Sequence, residues 1–149
     1  MPMDEHDLRL RNITYALFVE LGRAPSLVEV ALTSGAEIGE VAASWRRLHD
    51  EHALVLNIEG NAIRMANPFS AVPTPFRVEA GGRLWYGNCA WDAFGICAAL
   101  DTDGGVETSC PDCGKPIALD IRDRRPSDES LFFHCLLPAA RWWDDVAFT

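Results

Sequence analysis

The sequence predicts an α+β protein: a helical N-terminal part closed by a β-hairpin, then a small, mostly antiparallel sheet with a buried helix. Three observations predict it. Apolar residues recur at helical spacing through the first third of the chain. A proline-rich stretch, 67–75, suits neither helix nor central strand, because its prolines lack amide donors and hold the backbone extended. Beyond it, alternating runs on either side of Gly81-Gly82, and again around a glycine-ended turn at 110–116, bracket one strongly apolar segment, Ala90 to Leu100.

In order, Ile13, Leu17 and Leu21 continue an apolar stripe from Leu10, and Gly22 supplies a stop, which predicts a first helix. Ser26 with Glu29 three residues on forms a capping-box pattern, so a short helix is expected over Leu27 to Leu32. Ile38, Val41, Ala42, Trp45 and Leu48 then trace one face of a third helix ending near His49. Leu54 to Ile58 and Ala62 to Met65, around a polar tip at Glu59-Gly60-Asn61, read as a hairpin. Three helices and a wing is the winged-helix order, so domains are placed at 1–66 and 76–149, with 67–75 as the connector.

In the second domain, Phe76 to Ala80 and Leu84-Trp85-Tyr86 pair across Gly81-Gly82, and Leu131 to Leu136 reads as a buried strand. The all-round apolar character of Ala90 to Leu100 predicts a helix buried on most sides.

The chain has 149 residues and 48% hydrophobic content, enough for a real core. No run approaches the roughly 20 apolar residues of a membrane helix, and the acidic start is unlike a signal peptide, so a soluble, cytoplasmic protein is expected. The net charge of -9, with a single Lys and no basic cluster, argues against DNA as a partner, although the third helix offers Arg46 and Arg47. Five cysteines in a cytosolic chain point to burial, metal binding or reactivity more than to disulfides.

Cys89 and Asp92 form the sharpest constellation. With Asn88 as N-cap, Cys89 falls in the first helical turn, where unsatisfied amides favour the thiolate, the nucleophilic and metal-binding form. Asp92 follows three residues later, so thiol and carboxyl share a face with Cβ atoms about 5–6 Å apart. Trp85, Trp91 and Phe94 nearby would desolvate that carboxyl, raising its pKa and fitting it to carry a proton. The blander alternative is a small buried Cys and an Asp that complements the helix dipole.

The run Gly87-Asn88-Cys89-Ala90-Trp91-Asp92-Ala93, after a Pro-rich connector and a winged helix and before a glycine-turned hairpin, resembles the organomercurial (alkylmercury) lyases, as does Leu136-Leu137-Pro138-Ala139-Ala140-Arg141-Trp142-Trp143. The resemblance implies protonolysis of carbon–mercury bonds: thiolates capture the mercury of an organomercurial substrate, the carboxyl of Asp92 helps move the proton, and mercuric ion is the bound product with no cofactor required. The family also uses a second catalytic cysteine, which the resemblance would place after the Phe148-Thr149 run, where the sequence stops. Cys135 is the internal candidate for that second mercury-binding thiol, and an uncovered edge of the sheet would suit a homodimer.

The knuckle Cys110-Pro111-Asp112-Cys113-Gly114 leaves three readings open: a structural turn with free thiols, half of a zinc site, or a redox pair. Zinc would need Cys97, His134, Cys135 or a symmetry mate to complete four ligands, and the similar hairpin of the lyases is structural. The functional alternative to an enzyme is a non-catalytic module, a soft-metal binder or winged-helix regulator that keeps the lyase fold.

Overall fold

The computed structural model describes residues 3–146 and is α+β, with the chain dividing into compact units at Pro73/Thr74. In the first unit, α1 (Glu5–Leu21), α2 (Leu27–Ser34) and α3 (Ile38–Asp50) precede the antiparallel strands β1 (Val55–Leu56) and β2 (Ile63–Ala66). That is the expected order of three helices and a hairpin. α1 begins earlier than its apolar stripe, because Asp4 caps it by accepting from the His6 amide. α2 carries the expected capping box between Ser26 and Glu29. Its neighbour Arg23 adds an ion pair to Glu29 at 2.6 Å.

The core of this unit collects Leu10, Phe18, Val30, Val41, Trp45 and Leu48 from the three helices. Thr14, fully buried on α1, donates to the Leu10 carbonyl at 2.8 Å and accepts from Trp45 Nε1 at 3.0 Å, so the one polar atom of that indole is satisfied inside the core. Arg47 makes a two-pronged pair with Asp7, both contacts at 2.7 Å. One of the two α3 arginines that the sequence offers for nucleic acid is therefore engaged with α1.

The proline-rich stretch is more than a connector. After a cis Asn67-Pro68 bond, β3 (Phe69–Ser70) pairs antiparallel with β2, and Phe69 is buried in a stacked contact with Phe18, ring centroids 5.3 Å apart. Pro68 sits in the turn, where no ladder donor is lost, which is why the strand can form.

The second unit is a sheet in the order β5-β4-β6-β7-β8, antiparallel throughout. Its strands are β4 (Phe76–Ala80), β5 (Arg83–Gly87), β6 (Gly104–Ser109), β7 (Pro116–Arg122) and β8 (Arg125–Pro126). Helix α4 (Ala90–Leu100) lies across β4 and β5. Val78, Ala80, Trp85, Val106, Leu119 and Ile121 are buried with Ala93, Ile96 and Cys97 of α4, as the period-two strands predict.

Two expectations fail here. α4 is buried along one face only: Trp91 is 64% and Phe94 37% exposed. The apolar pattern predicts burial on most sides, yet the sheet supplies one covering surface. The run Leu131 to Leu136 is not a buried strand but irregular and exposed, with Phe132 97% exposed. The β7 edge beside Ile121 and Arg122 is occupied by β8, and an Asx turn at Asp128, which accepts from the Ser130 amide at 2.8 Å, then turns the chain away. A single 3-10 turn follows at Ala139–Arg141. Phe148 and Thr149 lie outside the described residues. No helix among the described residues is long and apolar enough to cross a membrane.

Candidate functional site

The end of β5 and the start of α4 are held together tightly. Thr74 Oγ1 donates to the Gly87 carbonyl at 2.6 Å, and a Cβ on Gly87 would stand 2.8 Å from the Ala93 amide nitrogen. Only glycine lets the helix start so close to the strand. Cys89, two residues on, is the N-cap itself: its backbone is extended and its carbonyl accepts from the Ala93 amide at 3.0 Å. This corrects the expectation that Asn88 caps and Cys89 occupies the first turn. Asn88 instead directs Nδ2 to Asp92 Oδ2 at 3.0 Å.

Cys89 is half-buried. Burial pushes its pKa above 9.0, and the nearby Asp92 and Cys135 push in the same direction. The amides of Asp92 and Trp91 point at the sulfur and oppose this by favouring the thiolate, although neither closes a capping hydrogen bond. The sequence expectation of a lowered thiol pKa is thus reversed, because desolvation outweighs the helix terminus. Asp92 is also half-buried, and burial lifts its pKa above 3.8 against the counter-effect of the Asn88 hydrogen bond. A carboxyl so placed keeps its proton to higher pH than a solvated one.

Cys135 is exposed, on the irregular segment after β8, and lies close enough to Cys89 to act on it electrostatically. That segment is tied to α4 by the Trp91–Phe133 ring pair, centroids 6.3 Å apart. Cys135 thus acts on Cys89 only through a weak electrostatic influence, from an irregular segment unlike the strand expected, and the two sulfurs with Asp92 do not form a metal-holding cluster among the described residues. Two apolar clefts of about 460 Å³ each flank the exposed side of α4. One lies between Trp91, Phe94, Cys97 and Ile121, the other between Phe76, Ala90, Phe94, Ile117 and Phe133; neither Cys89 nor Asp92 lines them.

The knuckle caps the β6–β7 hairpin. The Gly114 amide donates to the Cys110 carbonyl at 2.8 Å and the Cys110 amide to the Lys115 carbonyl at 2.9 Å, with Gly114 at φ 71°. Cys110 is half-buried and Cys113 exposed; amides of Cys113 and Asp112, then the Cys113 thiol, lower the Cys110 pKa from 9.0. Cys97, named as one completing zinc ligand, is buried on α4, where a Cβ on Gly104 would lie 2.8 Å from its sulfur. Among the described residues no three His, Cys, Asp or Glu side chains gather as a metal site, so the knuckle has no third ligand within them.

Sequence reasoning missed Asn88 as the partner of Asp92. The available signal was an amide side chain just before the helix start, four residues ahead of a first-turn carboxyl.

The alkylmercury lyase family model matches residues 69–149, which contain the Cys89–Asp92 run and all of the sheet that positions it. The chain belongs to the alkylmercury lyase family. Among solved structures, the mercury-bound form of MerB2 shares the fold, with a TM-score of 0.68 at 21% identity over 85% of this chain and 61% of that one. The chain therefore spans about three-fifths of the length of that lyase-family structure. No curated protein matches this chain in sequence. Within the alkylmercury lyase family, Gly87-Asn88-Cys89-Ala90-Trp91-Asp92 is thus the segment whose geometry carries the functional question.

Proposed function

We propose that this protein cleaves carbon–mercury bonds by protonolysis, with Cys89 as the mercury-capturing thiolate and Asp92 as the proton donor. The observation that carries the reading is their pairing at the start of α4, a half-buried cysteine beside a carboxyl that burial biases toward its protonated form. A soft cation prefers thiolate over oxygen ligands, and a carbon leaving mercury with the bonding electrons needs an acid at hand.

The Cys89 thiolate displaces the small-thiol ligand of an organomercurial, forming a sulfur–mercury bond. The Cys135 thiolate adds to the same mercury and weakens its bond to carbon. Asp92 gives its proton to that carbon as the bond breaks. Hydrocarbon leaves, the carboxylate remains, and mercuric ion stays between two sulfurs; charge and atoms balance with no change of oxidation state. Asn88, donating to Asp92 Oδ2, steadies the carboxylate left behind.

The test is release of arene from an arylmercurial by the thiol-reduced chain in excess small monothiol. Wild type is expected to release it and Cys89→Ser to release none. A folded wild type without release, or a Cys89→Ser variant with undiminished release, rejects the proposal.

A further inference from the structure

The function proposed above leaves the Cys110–Cys113 knuckle unused, and the strand register gives it a location that the sequence alone does not. Arg77 on β4 pairs with Tyr86 on one side and with Glu107 on the other. Tyr86 and Glu107 are therefore level, and β5 and β6, each antiparallel to β4, run the same way. Cys89 lies three residues beyond Tyr86, and Cys110 three beyond Glu107. The ends of β5 and β6 that lead to Cys89 and Cys110 therefore lie at the same end of the sheet, two strand spacings or roughly 10 Å apart.

We propose that the Cys110–Cys113 turn is a second mercury site, a linear dithiolate that takes the mercuric ion from Cys89 by thiol exchange after the carbon–mercury bond is broken. The inference rests on the proposed function for the source of the ion, but not for the site itself. Two thiols on one hydrogen-bonded turn, with no third donor among the described residues, match a soft cation content with two sulfurs and not one that demands four ligands. The turn holds the backbone that carries both cysteines in advance, whereas Cys135 sits on an irregular segment, so less order is lost when the knuckle binds. In the exchange each knuckle sulfur forms a bond to mercury as a sulfur of the first site departs. The protons given up by the knuckle thiols pass to the departing sulfurs, and no electron is transferred.

The experiment uses the full chain with one equivalent of mercuric chloride under a small monothiol, followed by alkylation with iodoacetamide and peptide mass analysis. The expected result is protection of Cys110 and Cys113 with Cys89 alkylated, and reversal of this pattern in Cys110→Ser and in Cys113→Ser, where Cys89 becomes protected. Alkylation of both knuckle cysteines in the wild type, with Cys89 protected, overturns the proposal. So does equal loss of mercury to the monothiol from wild type and from Cys113→Ser. Because inorganic mercury is supplied directly, failure of bond cleavage appears only in the arene assay and is read separately.

Discussion

Replacing Asp92 with Asn tests whether the carboxyl delivers a proton or merely completes the start of α4. A positioned general acid contributes about 10²–10⁴-fold, equivalent to roughly 2.7–5.5 kcal/mol of barrier, so Asp92→Asn is expected to slow arene release by that factor. The fold should not suffer in proportion. The carbonyl of the new amide can still accept from Asn88 Nδ2, which now reaches a carboxylate oxygen at 3.0 Å, at the cost of exchanging a charged acceptor for a neutral one. Against that loss stands burial. The folded pKa of Asp92 is raised above 3.8, so its stabilising influence is fully present below that pH and fades as pH rises through the folded value. Wherever Asp92 is ionised the wild type carries the penalty of a half-buried carboxylate, and the variant does not. The net change in unfolding free energy should stay within about 1 kcal/mol. Headspace chromatography of the arene and urea unfolding measure the two quantities. A rate within about threefold of wild type, or a slow rate explained by an equally large loss of fold, would refute the assignment.

Other consequences follow from the same geometry. Gly87→Ala places a Cβ 2.8 Å from the Ala93 amide nitrogen, so the first turn of α4 must shift; arene release should fall roughly tenfold to a hundredfold, seen in single-turnover rates. Mercury capture, followed by stopped-flow absorbance, should quicken with rising pH toward a thiol pKa above 9.0, because burial disfavours the Cys89 thiolate. Thr14→Val removes the acceptor of Trp45 Nε1 inside a sealed core, and urea unfolding should show a loss of about 1–3 kcal/mol. The Asp7 pKa is lowered from 3.8, chiefly by its hydrogen bonds from Arg47, so its contribution is present above 3.8 and lost as pH falls through the folded value. Asp7→Asn should therefore weaken the fold by about 1–3 kcal/mol at neutral pH, and the gap to wild type should close in thermal melts taken below pH 3.8.

Periodicity and caps carried most of the architecture. The stripes of α1 and α3, the Ser26–Glu29 box and the Gly81-Gly82 turn are local signals, and local signals survive in the folded chain. What the sequence concealed depends on neighbours far along the chain. Leu131 to Leu136 carries strand-like residues, but a strand needs a free edge, and whether β8 already lies on β7 is not written in those six residues. The exposure of Trp91 and Phe94 likewise depends on how many surfaces surround α4. At the site, the spacing of Cys89 and Asp92 was legible, but the balance at the sulfur was not. Helix-end amides and desolvation oppose each other there, and only the burial of the surrounding backbone decides that desolvation prevails.

The outward placement of Trp91 has an optical consequence. Its indole lies on the solvent side of α4, two residues from Cys89, whereas Trp45 and Trp85 are buried. Heavy atoms promote intersystem crossing in nearby excited rings, and water-facing indoles emit at longer wavelength than enclosed ones. Loading of the sulfur at Cys89 should therefore dim the red side of the fluorescence spectrum, giving a label-free signal that follows arrival and departure of the metal in real time.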